Sequence, residues 1–186
     1  NRIFASPTGV SYSDPRHRPI NETICYYERK AKGGAASVCV GDVMVDSEHS
    51  PHGRYNMMMD DNEIMPALNK MSSEISRHGA VPTIEIFHAG SAATVSYLDG
   101  HEVYGPQEGY VEGALGHPKV YAHGMDRAMM ERVIKKYTDG AALAKRCGFG
   151  MVLLHGGHGF LMHQFMSPTL NHRVDEYGGS FENRMR

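Results

Sequence analysis

The chain has 186 residues, 41% of them hydrophobic and 22% charged, with 19 basic and 21 acidic side chains and a formal net charge of −2. That length suffices for one domain with its own core. The lack of a basic excess argues against a nucleic-acid partner, since no surplus cations are present to neutralise phosphates. No apolar stretch approaches the ~20 residues of a membrane span, and no secretory leader is recognisable. Three cysteines, Cys25, Cys39 and Cys147, form no CxxC. They read as reduced, buried thiols of a cytoplasmic protein, not as a disulfide framework or metal motif. A small-molecule substrate is the expected partner, with neither nucleic acid nor membrane, and the oligomeric state stays open, a homo-oligomer included.

In chain order, RIFASP (residues 2–7) is a short apolar run stopped by Pro7 and Gly9, the punctuation of a strand meeting a loop. INETICYYERKAKGG predicts a helix capped by Asn21 and ended by Gly33 and Gly34. ASVCVGDVMV (36–45) is a β-branched second strand that continues past Gly41. Next comes a helix with Asp60 or Asp61 as cap and Glu63 in its first turn; Ile64, Leu68, Met71 and Ile75 share one face, and Gly79 ends it. VPTIEIFHAG (81–90) is the third strand. Residues 91–123 hold no sustained period and read as a long excursion with a hairpin; His101, His117 and His123 within it are expected to be solvated. Asp126 caps a helix whose apolar stripe is Met130, Val133, Ile134, Tyr137, Ala141 and Ala144, with Lys145 and Arg146 suiting its negative end. Gly148 leads into the fourth strand, GMVLLHGG, and a polar, turn-rich tail follows.

Alternating strands and helices specify a parallel sheet of βα units. The strands are continuous apolar runs, as expected when both faces are buried. A doubly wound sheet is the weaker reading, because no GxGxxG follows the first strand. The expected fold is an α/β (β/α)8 TIM barrel, of which this chain carries about the first four βα units; a complete barrel needs about 250 residues. In that architecture the ligand site lies at the C-terminal strand ends. Those ends carry Ser6, Pro7 and Thr8; Gly41 and Asp42; Glu85 and His88; and the stretch from His155 to Phe160.

The sequence HGGHGFLMH poses a question, because two imidazoles three apart flank two glycines. His155 and His158 are compatible with a satisfied polar pair, with a metal site completed by His163, or with paired donors to one substrate oxygen. The metal reading lacks a carboxylate in register, so no metal is expected, and a metal-dependent hydrolase is the remotest reading. Nucleophilic catalysis lacks a serine elbow or a thiol nearby. Paired donors would polarise a carbonyl and hold an enolate, an effect of roughly 3–4 kcal/mol per donor in well-studied oxyanion sites.

Residues 155–186, HGGHGFLMHQFMSPTLNHRVDEYGGSFENRMR, closely resemble the signature of the Old Yellow Enzyme family of FMN-dependent NAD(P)H:flavin oxidoreductases. NRIFASPTG, ASVCVGDVMV and IEIFHAG match in the same order, so the resemblance spans essentially the whole chain. It is nearest to the branch of dienoyl-CoA, enoate and bile-acid reductases and trimethylamine dehydrogenase. The resemblance implies the N-terminal half of an FMN-binding barrel over residues 1–186, acting as an ene-reductase-like enzyme that passes hydride from NAD(P)H through flavin to an α,β-unsaturated carbonyl. Ser6, Pro7, Thr8 and Gly9 would run along the flavin, Gly41 would permit close approach, and Glu85 would meet the pyrimidine edge. His155 and His158 would grip the substrate oxygen, and Phe160 would line the substrate pocket.

Two positions depart from the family pattern. Glu85 stands where most relatives have glutamine, so it accepts from a ring N–H but donates nothing unless protonated. Phe160 stands where many relatives have a proton-donating tyrosine, and it has no such proton. Its presence keeps two alternatives open, a flavin-dependent NADH oxidase and an amine dehydrogenase. A third alternative is an inactive or split half-barrel needing the missing C-terminal half. Longer relatives add a [4Fe-4S] cluster and FAD downstream, which residues 1–186 leave open. The rest of the motif, with Asn171, Arg173, Asp175, Tyr177 and Arg184, is assigned a structural task, and His88 is read as a loop anchor.

Overall fold

The computed structural model describes residues 1–10, 12–112 and 119–186. Its elements, in order, are β1 (Phe4–Thr8), α1 (Asn21–Lys32), β2 (Ser37–Met44), β3 (Met57–Met58), α2 (Met65–Ser76), β4 (Val81–Phe87), β5 (Val103–Gly105), β6 (Gly109–Val111), β7 (Val120–Gly124), α3 (Arg127–Arg146), β8 (Met151–Leu154), α4 (Leu161–Met166) and α5 (Phe181–Arg184). The chain divides into two units, one of Asn1–Val45, Gly53–Phe87 and Lys135–Leu154, the other of Asp46–His52, His88–Ile134 and His155–Arg186.

In the first unit the sheet order is β1-β2-β4-β8, parallel throughout, with β3 joined to β2. β2 and β4 are buried almost end to end, as their unbroken apolar runs require. β1 and β8 are not. Phe4 is 66% and Leu154 52% exposed, because each of these strands lies at one end of the sheet with a neighbour on one side only. Double-sided burial therefore holds for two strands and fails for the other two.

The helices bury the faces their periodicity marks. Ile24, Tyr27 and Ala31 of α1, and Leu68, Met71 and Ile75 of α2 with Ile64 just before it, join the strand side chains in one core. Asp61 caps the 3-10 turn Asn62–Ile64 by accepting from the Glu63 N–H, and Asp126 accepts from the Met129 N–H at 2.8 Å. Asn21 does not cap α1. It lies inside the helix and accepts from Lys70 Nζ at 2.8 Å, while the extended Ile20 precedes the first turn without a side-chain cap. Ile134 is 64% exposed. The buried face of α3 advances by fours and threes through Val133, Tyr137, Gly140 and Ala144, so Ile134 falls about 100° away.

The second unit holds a small sheet, β5-β7-β6, in which β6 and β7 pair antiparallel and form the expected hairpin. His117 lies outside the described residues. The polar tail is tied down by its own side chains. Asn171 Nδ2 donates to the carbonyls of Phe165 and Tyr177, and Arg173 donates to those of Pro106 and Met125 while pairing with Asp175. Cys39 and Cys147 are buried free thiols; Cys25, expected to be buried, is exposed on α1. Among the described residues no helix is long and apolar enough to cross a membrane.

Candidate functional site

The first unit presents the C-terminal ends of β1, β2 and β4. Register slips between Ala5 and Thr8 on β1 and between Val40 and Val43 on β2, so the two strands bulge where the candidate loop begins. At the bulge Asp42 takes φ 64°, a left-handed conformation that aspartate tolerates better than most residues. Its carboxylate accepts from Asn56 Nδ2. Gly41 is required by contact: a Cβ there would stand 2.6 Å from Thr8 N and 3.1 Å from the Pro7 carbonyl carbon. Gly9 faces the matching constraint, with a Cβ reaching 2.7 Å from that of Asp42. Gly41 thus lets the main chains of β1 and β2 press together, and Gly9 leaves room for the Asp42 side chain. Ser6, Thr8 and Gly9 remain exposed, and Pro7 is half-buried.

Tyr27, which the sequence marked only as part of a helix, locks this arrangement. Its hydroxyl donates to the Thr8 carbonyl oxygen at 2.6 Å and accepts from the Gly41 N–H at 3.1 Å. Burial, the largest influence, pushes the Tyr27 hydroxyl well above the usual phenol range. Glu85 sits on β4 opposite Leu153 and is buried. Burial and then the Glu85 charge push the Cys39 thiol up to about 12.

In the second unit His155 directly follows β8, and the rings of His155 and His158 stack with centroids 5.0 Å apart. Their nitrogens hydrogen-bond, His158 Nδ1 to His155 Nε2, at 3.0 Å. His158 has φ 55°, a strained left-handed backbone, at the position where its ring stacks on that of His155. Phe160 packs on both sides, against His155 at 5.3 Å and edge-on to His52 at 4.9 Å. His163 Nδ1 accepts from the Gly159 N–H at 2.8 Å, a structural use of that ring. Gln164, another residue that sequence reasoning passed over, is buried. It takes the Ser91 N–H and donates to the carbonyls of Ala89 and Gly159, joining the loop after β4 to the loop after β8.

His88 is fully buried, and its Nδ1 accepts from the Gly90 N–H at 3.0 Å. Burial lowers its pKa, outweighing the nearby Asp46. Asp46 is also fully buried, which alone would raise its carboxyl; His88 and Arg132 more than offset this and hold it far below the usual range. This cluster anchors the loop after β4.

The parallel β1-β2-β4-β8 sheet of the first unit, with helices between its strands, is of the α/β-barrel class. Compared with known proteins, residues 1–186 match the NADH:flavin oxidoreductase / NADH oxidase family over their whole length, and the chain belongs to that family. It is 31% identical to an NADH oxidase of Thermoanaerobacter brockii, covering 100% of this chain and 28% of that protein. It is 33% identical to an NADPH dehydrogenase of Halalkalibacterium halodurans, covering 100% of this chain and 52% of that one. The Old Yellow Enzyme from Pichia sp. AKU4542 superposes with a TM-score of 0.89 at 25% identity, over 99% of this chain and 49% of its own. The fold is that of a (β/α)8 TIM barrel, of which β1, β2, β4 and β8 provide the strands of about the first four βα units. The chain spans about half or less of the length of these relatives.

Proposed function

We propose that this chain is the N-terminal half of an FMN-binding barrel domain, in an enzyme passing hydride from NAD(P)H through flavin to an α,β-unsaturated carbonyl. The observation that carries the proposal is the imidazole pair at the end of β8, in a chain belonging to a flavin oxidoreductase family. The donor set of the first unit fits the cofactor. Ser6, Thr8 and Gly9 are exposed along the end of β1, and Glu85 offers a buried acceptor to a ring N–H. Gly41 acts through close packing of β2 on β1 and needs no direct flavin contact.

When bound, FMN would supply the hydride chemistry. The protein's share is to orient and stabilise. In the His155–His158 hydrogen bond one ring donates and the other accepts. The pair becomes two donors to a carbonyl when an incoming oxygen replaces that internal bond and the accepting ring shifts its proton to the nitrogen that faces the oxygen. Each donor then lowers the barrier to the developing enolate by roughly 3–4 kcal/mol. Phe160 shapes the pocket and supplies no proton.

A second reading follows from Phe160. Without a phenolic acid at this position, a flavin-dependent NADH oxidase or amine dehydrogenase needs no further change in the residues named. The experiment is the visible spectrum of the purified full-length protein with added FMN, followed by anaerobic NADH and then by an enone or oxygen. A yellow complex that bleaches and is reoxidised by the enone supports the first reading, and reoxidation by oxygen alone supports the second. A protein that takes up no flavin refutes both.

A further inference from the structure

We propose that Glu48, His49 and His101 form a binding site for a single divalent transition-metal ion of the zinc, cobalt or nickel type. The proposal stands apart from the flavin reading and uses none of its residues. Glu48 and His49 lie in the segment Asp46–His52 after β2, and His101 lies in the turn before β5, all within the second unit. One ligand atom from each lies within 4.8 Å of the other two, the one such triad among the described residues. Metal–ligand bonds of about 2.0–2.2 Å place tetrahedral donors roughly 3.4 Å apart. A rotamer-scale movement of the exposed His101 and the half-buried Glu48 closes that difference.

His49 is already oriented for the task. It is buried, and its Nδ1 lies 2.9 Å from the Glu102 carbonyl oxygen. A carbonyl only accepts, so the proton sits on Nδ1 and the ring offers Nε2 as its ligand atom. A backbone carbonyl behind the ring is the outer-shell arrangement that fixes ligating histidines. Tyr104 holds the ring edge-on at 5.1 Å, and the His101 ring meets it at 5.5 Å. Nε2 faces Glu48 Oε2 at 3.9 Å, beyond a hydrogen bond but open to an ion between them.

Arg132 does not block the site. It donates to Glu48 Oε2 at 2.8 Å but also holds the buried Asp46, so its charge stays compensated when Glu48 turns to a metal. Two imidazoles and one carboxylate select borderline cations over magnesium or calcium, which prefer all-oxygen shells. Three protein ligands leave a fourth position for water. Bound metal would clip the loop after β2 to the turn before β5.

The test is cobalt(II) titration of the protein by visible absorption and calorimetry, with zinc as competitor. We expect one ion, a d–d spectrum of low coordination number, and displacement by zinc. His101→Ala and Glu48→Gln should each weaken binding at least about tenfold. His101 is exposed, so its loss leaves packing intact, and circular dichroism confirms folding of each variant. A His155→Ala/His158→Ala double variant should bind cobalt as the wild type does. No binding at all overturns the proposal. So does unchanged affinity in folded His101→Ala, or loss of binding in the His155/His158 double variant.

Discussion

The Tyr27 hydroxyl donates to the Thr8 carbonyl oxygen at 2.6 Å, so a helix residue sets the path of the loop that follows β1. The Tyr27 hydroxyl oxygen in turn accepts from the Gly41 N–H at 3.1 Å. Tyr27→Phe leaves two polar main-chain groups without this partner, at a cost of about 1–3 kcal/mol. Chemical denaturation should show a lower midpoint with an unchanged slope. FMN affinity should fall alongside stability if Ser6–Gly9 contact the ring; unchanged affinity would detach that loop from the cofactor.

Gly41→Ala puts a methyl group 2.6 Å from Thr8 N, a main-chain atom that cannot swing aside. β1 and β2 must separate, at about 1–3 kcal/mol or more. Gly34→Ala serves as the control, since open space surrounds it and its φ of 95° confines the cost to backbone strain. Calorimetric melting should rank Gly41→Ala as the more damaging; the reverse order would mean the strand contact yields easily.

The buried Cys39 thiol gives the protein an alkaline weakness. Its ordinary value of 9.0 is raised to about 12 in the fold, so between those limits the unfolded chain loses a proton that the folded chain keeps. Stability is therefore intact below pH 9 and declines as pH rises, by at most about 1.4 kcal/mol per pH unit from this group. Cys39→Ala should flatten that limb in melting curves taken from pH 8 upward. At pH 8 a thiol reagent should label the exposed Cys25 rapidly, with Cys39 and Cys147 reacting only on unfolding.

Phe160→Tyr restores a proton donor beside His155, whose ring centroid lies 5.3 Å from that of Phe160. Under the enone reading, turnover should rise by about 10²-fold or more under conditions where protonation limits the rate. Stopped-flow traces of flavin reoxidation by an enone provide the measurement. An unaltered rate would favour the oxidase or amine reading.

His155→Ala and His158→Ala remove the proposed grip on the substrate oxygen. Each should weaken phenol binding by about tenfold, roughly 1.4 kcal/mol. Charge-transfer absorbance of the flavin with a substituted phenol reports that affinity directly; equal affinities in wild type and variants would exclude the pair from the role.

Much of this protein was legible in the order of its residues. Repeating apolar spacings located α2 and α3, because a helix shows a core one face at fixed intervals, and end signals located α1. Continuous β-branched runs located β2 and β4, and the glycine-flanked histidines marked the end of β8. What local pattern could not supply was partnership across the chain. Nothing near Tyr27 says that its hydroxyl reaches Thr8 and Gly41, and nothing in EHSPH announces that His49 faces His101. Exposure at β1 and β8 was equally invisible, since an apolar run looks the same whether one neighbour or two will cover it. Periodicity is a property of adjacent residues and so belongs to the sequence. Contacts between distant residues exist only once the folded backbone has brought them within reach, and that was decided by the tertiary structure alone.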